Sequence, residues 1–113
     1  LAALVLLNDP SFIEAARAFA ERTLARPAEG DRERLHWAFT EALTRPPADA
    51  ELAVLEDVLA ENRDDFAQRP QAAGEFLAVG LRPPAAQAED VELASWTAVC
   101  RALFNLAETN TRN

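Results

Sequence analysis

Four Arg-Pro dipeptides constrain this chain more than any other feature: Arg26-Pro27, Arg45-Pro46, Arg69-Pro70 and Arg82-Pro83. Proline has no N–H to give a helix, and it pushes the residue before it out of the helical region. Each dipeptide therefore ends whatever helix precedes it. Between them, apolar residues recur at helical spacing. Phe12, Ile13, Ala16, Phe19, Ala20 and Leu24 form one stripe, and Leu35, Ala38, Phe39, Ala42 and Leu43 a second. Leu52, Leu55, Leu59 and Phe66 form a third, interrupted by Asn62, while Ala73, Phe76, Leu77 and Leu81 make a short fourth. No stretch alternates at the period of a strand. The pattern predicts an all-α fold: a compact bundle of about five short helices plus the end of an N-terminal helix, joined by Arg-Pro turns.

From Leu93 to Ala107 most positions are apolar around the whole helical circumference, which predicts that the last helix is the central, most enclosed one. Charge follows helix polarity. Asp31 and Glu33, Asp49 and Glu51, and Glu89, Asp90 and Glu92 sit where helices start, and the Arg-Pro arginines sit where they stop. The segments "LTRPPADAE" and "LRPPAAQAED" echo each other as a reused stop-turn-start device.

A chain of 113 residues, half of them apolar and including six Phe and two Trp, can close one core. Residues 1–113 read as one helical domain, or as the C-terminal helical subdomain of a larger protein. The balance of 11 basic against 19 acidic residues gives a net charge of −8. That balance argues against nucleic acid and anionic lipid as partners, which need a basic footprint. All 11 basic residues are Arg, read first as genome composition. The apolar run Leu1–Leu7 is too short for a membrane span or a secretory signal. It reads as the last turns of a longer helix, and as a surface through which the chain could form a homo-oligomer. The chain lacks methionine, as expected of a fragment or processed product.

Catalytic and metal chemistry finds little support. His36 and Cys100 are the sole residues of their types, and no Cys-x-x-Cys-His stretch exists for haem attachment, so no cofactor is expected in this chain. Glu61-Asn62-Arg63-Asp64-Asp65 lacks the alternating ligands and central Gly of a calcium loop and reads as a solvated helix end. Ser11 and Ser95 lie in no nucleophile elbow, and Cys100 reads as a core thiol.

Two polar features stand out. In "LLNDPSF", Asn8 suits the left-handed end of an incoming helix, Asp9 the N-cap of the next, and Pro10 its first position. On the last helix, Thr97, Arg101, Asn105 and Glu108 fall at i, i+4, i+8 and i+11, one narrow stripe. The plainer reading is a solvent-facing seam; the sharper is a buried polar seam that meets a partner. Asn8, Asp9, Arg101, Asn105 and Glu108 are accordingly the candidate interaction residues.

Four phrases, "LVLLNDPSFIEAARAFAER", "AFTEALTRPPADAEL", "FLAVGLRPP" and "SWTAVCRALFNLAETNTRN", resemble the C-terminal end of a planctomycete-specific domain of unknown function. The likeness spans nearly the whole chain. It departs at the tail, where Ala107, Thr109 and Asn110 replace residues usual in that family while Glu108, Thr111 and Arg112 remain. The resemblance implies an exported protein, periplasmic or at the cell surface, whose upstream domains often include a cytochrome-c-like one. It implies no activity. The expectation is a non-catalytic helical interaction or structural module; the alternative is a segment that completes the active site of a larger enzyme, with Asn8-Asp9 and the Arg101–Asn105–Glu108 stripe as its contribution.

Overall fold

The computed structural model describes residues 10–77 and 87–111. Among these, five helices and no strands occur: α1 (Pro10–Ala25), α2 (Asp31–Leu43), α3 (Asp49–Gln68), α4 (Pro70–Leu77) and α5 (Gln87–Thr111). The all-α bundle expected from the apolar stripes is the fold observed. Its radius of gyration is 13.5 Å, that of a compact chain of this length. Leu1–Leu7, Asn8, Asp9 and the Arg82-Pro83 turn, along with the expectations placed on them, lie outside the described residues.

Proline acts as anticipated at the helix ends. α1 begins at Pro10, in the first helical slot where no N–H is needed. α1, α2 and α3 each stop just before an Arg-Pro pair. The end of α2 is tighter than the proline rule requires: Thr44 adopts a left-handed conformation, φ 60°, and its N–H bonds the Thr40 carbonyl at 2.9 Å. A β-branched residue there is strained, because its Cβ crowds the carbonyl.

Helix α5 is the axis of the bundle, packing against all four of the others. Its buried face presents Leu93, Ala94, Trp96, Val99, Cys100 and Leu103 to Ala16, Phe19 and Ala20 of α1, Leu35, Ala38 and Phe39 of α2, and Leu52, Leu55 and Leu59 of α3. Phe19 stacks on Phe104 (5.4 Å), and Arg22 acts electrostatically on Cys100. Residue numbers rise along α1 as they fall along α5, so the two helices run antiparallel. Three fully buried hydroxyls are satisfied within their own helices: Thr23 bonds the Phe19 carbonyl, Ser95 that of Val91, and Thr97 that of Leu93, at 2.7–2.8 Å. No helix among the described residues is long and apolar enough to cross a membrane.

Candidate functional site

The last-helix stripe is not one continuous solvent-facing seam. Thr97 is fully buried, while Arg101, Asn105 and Glu108 are half-buried. Thr97 is accounted for by its bond to Leu93, and the Arg101 guanidinium lies 5.5 Å from the Phe76 ring of α4, a cation–π contact. The antiparallel pairing of α1 with α5 brings the start of α1 to the end of the bundle where Glu108 stands. Asn8 and Asp9 themselves fall outside the described residues, so the five candidates are not seen together.

The structure places Ser95 and Cys100 in the core and His36 at the surface. Ser95 is buried and donates to its own helix, leaving no exposed hydroxyl. Cys100 is buried, and desolvation pushes its thiol up to about 12, so the thiolate needed for nucleophilic attack is scarce near neutral pH. His36 is exposed on α2. Among the described residues no three His, Cys, Asp or Glu side chains gather as a metal site.

Three features were hidden from the sequence. The first is a hub around Arg63 of α3. Its guanidinium bonds Asp31, the first residue of α2, at 2.5 and 3.0 Å, and Glu92 of α5 at 2.5 and 3.1 Å. Glu92 also accepts the indole N–H of buried Trp96 at 3.0 Å. The hydrogen bonds and charge of Arg63 hold the Asp31 carboxyl below its ordinary range, and the two carboxylates raise Arg63 in turn. One half-buried arginine thus joins three helices.

The second is a bridge across the α2–α3 turn. Arg45 makes a two-pronged ion pair with Glu51 (2.9 Å each) and lies over the Phe39 ring at 4.9 Å. Glu51 also accepts the Ala48 N–H at 2.8 Å, one half of a capping box, since alanine has no side-chain oxygen to return the bond. Together these bonds lower Glu51 to about 2. The arginine expected to face the end of its own helix instead ties that turn to the start of the next.

The third is a cleft of about 560 Å³ between the end of α1 and the outer face of α2. It is lined by Arg26, Pro27 and Ala28 after α1, by Arg32, His36, Trp37 and Thr40 of α2, and by Leu52 of α3. The Arg26 guanidinium lies 4.5 Å from the Trp37 ring, and Trp37 packs in turn against Phe19 at 5.9 Å. In the sequence Arg26 marks only a helix stop, and nothing local pairs it with Trp37.

The fold and its sites define an all-α helical domain whose strongest polar groups join helices to one another. Over residues 1–59 the chain matches the family described as PSD1, a protein of unknown function (DUF1553), and it belongs to that family. No curated protein and no solved structure matches it.

Proposed function

We propose that the chain is a non-catalytic helical interaction module that docks a basic protein face. One observation carries this reading. The outer face of α3 presents Val54, Asp57, Glu61 and Asp64 in succession, all exposed, with Val54 60% accessible. Spacings of three and four residues put them on one stripe. An apolar side chain beside three acids, on a molecule of charge −8, suits a partner that offers cations around an apolar contact. The coupled ion pairs of Arg63 and Arg45 serve the packing of helices, which fits a module whose work is to hold a surface. The resemblance noted from the sequence extends the proposal: the protein is exported, of planctomycete type, and the basic face belongs to an upstream domain of the same protein, for instance a cytochrome-c-like one.

The alternative, a segment completing the active site of a larger enzyme, draws support from the start of α1 standing at the Glu108 end of α5. The test is to express the 113-residue chain and the remainder of the full-length protein as separate polypeptides and titrate one with the other. Saturable binding that weakens steeply with added salt is expected. Salt-insensitive binding, or none, would overturn the docking model.

A further inference from the structure

The α1–α2 cleft is lined by more arginine than acid, unlike the molecule as a whole. Arg26, Arg32 and Arg34 line it against a single acid, Glu33, although the whole chain carries 19 acids and 11 arginines. The roles of these groups differ. Arg32 is committed to Glu56 at 2.7 Å and Asp49 at 3.3 Å. Arg34 donates to the carbonyls of Leu24 and Arg26 at 3.5 and 3.3 Å, covering the negative end of α1 so that it does not repel an anion in the cleft. Its Nε–H is buried with no acceptor among the described residues. Glu33 accepts the Glu29 N–H at 3.0 Å. That leaves the exposed Arg26 side chain, which has no carboxylate within ion-pair distance among the described residues.

The contact with Trp37 holds the Arg26 guanidinium at the cleft, its central carbon 4.5 Å from the ring centroid, and a cation–π contact takes no hydrogen bond from the guanidinium's N–H groups. A guanidinium edge fits a carboxylate with two parallel hydrogen bonds. The neighbouring walls, Trp37, Pro27, Ala28 and Leu52, are apolar, and the volume lies within the ordinary range for small-ligand sites. We propose that this cleft binds a carboxylate joined to a compact apolar group, with the Arg26 guanidinium receiving the carboxylate and the Trp37 wall receiving the apolar group. A free aromatic or branched acid and the free C-terminus of a peptide ending in such a residue share this chemistry.

The probe is N-acetyl-phenylalanine, titrated into the 113-residue chain and followed by tryptophan emission. Trp37 lines the cleft, whereas Trp96 is fully buried against Glu92, so a change in emission reports the cleft. Saturable binding is expected for the acid and not for N-acetyl-phenylalaninamide. Arg26→Gln should weaken it about tenfold or more, as expected when a charge-assisted pair is lost. Arg26→Lys, which keeps the charge but not the fork, should fall between, and Arg69→Gln, outside the cleft, should bind as the parent does. Because Arg26 is exposed and its side chain contributes chiefly the Trp37 contact, its variants should stay folded and melt within about 5 °C of the parent, which circular dichroism checks. A short peptide ending in free phenylalanine identifies the source: tighter binding than the free acid points to a protein terminus, and equal binding to a small acid, each with recognition intact. Absence of saturation up to about 10 mM, equal binding of the amide, or unchanged binding by Arg26→Gln would each overturn the proposal.

Discussion

Replacing Arg63 by Met keeps most of the aliphatic stem and removes a group that joins α2, α3 and α5 through one side chain. The guanidinium makes four hydrogen bonds, two to each of two carboxylates. Arg63 is 31% exposed and each carboxylate 41%, so water screens these pairs, and each is taken near the upper end of the range for exposed pairs, about 1 kcal/mol. The variant also leaves Asp31 and Glu92 facing the same vacated space, which adds repulsion and incomplete solvation. Together the loss should be about 2–3 kcal/mol. For a domain of this size that lowers the melting temperature by about 8–12 °C.

Thermal and urea unfolding followed by circular dichroism measure the difference. The control is Arg32→Met, whose partners Asp49 and Glu56 are 100% and 39% exposed and whose loss should be at most about 1 kcal/mol. The difference should also depend on pH. The folded-state pKa of Asp31 lies below its ordinary 3.8, so its carboxylate contributes stability above that value and loses it as pH falls through the depressed one. Acidification below about 4 should therefore narrow the gap between the variant and the parent. If Arg63→Met costs no more than Arg32→Met, or the gap is independent of pH across that window, the hub does not hold the helices together.

The same sign applies to Glu51, whose pKa falls from 4.5 to about 2: Glu51→Gln should flatten the loss of stability between those pH values, read from melting temperatures across an acid series. Thr44→Asn, which tolerates the left-handed conformation better, should stabilise the domain by about 0.5–1 kcal/mol in urea unfolding. A destabilised Thr44→Asn variant would mean that the hydroxyl bond to the Leu43 carbonyl, 2.6 Å, outweighs the strain.

Helix positions were legible because each stripe and each stop is written in neighbouring residues. Phe39 and Leu35 repeat at four, and Arg45-Pro46 ends α2 whatever lies elsewhere in the fold. The central place of α5 was legible for the same reason, since apolar residues all round a helix call for neighbours; the cover is incomplete, with Ala102 and Leu106 exposed. The Arg63 hub was not. Asp31, Arg63 and Glu92 lie 32 and 29 residues apart, and within its own segment Arg63 looks like one charge in a solvated run. The sole local hint was Glu92 four residues before Trp96, a spacing that lets a carboxylate reach an indole N–H. Arg26 and Trp37 likewise meet only because the turn after α1 folds back over α2. The polar stripe of α5 was read as one feature because spacing cannot show burial, and its members sit at different depths.

The docking proposal is tested most directly by neutralising its surface without touching the core. Asp57, Glu61 and Asp64 are all exposed, so the triple variant Asp57→Asn, Glu61→Gln, Asp64→Asn should fold as the parent does. Its affinity for the upstream basic domain that the docking proposal invokes, measured by calorimetry at low and physiological salt, is the deciding quantity. The account predicts that binding weakens severalfold and loses most of its salt dependence, whereas parental affinity and parental salt dependence in the variant would contradict it.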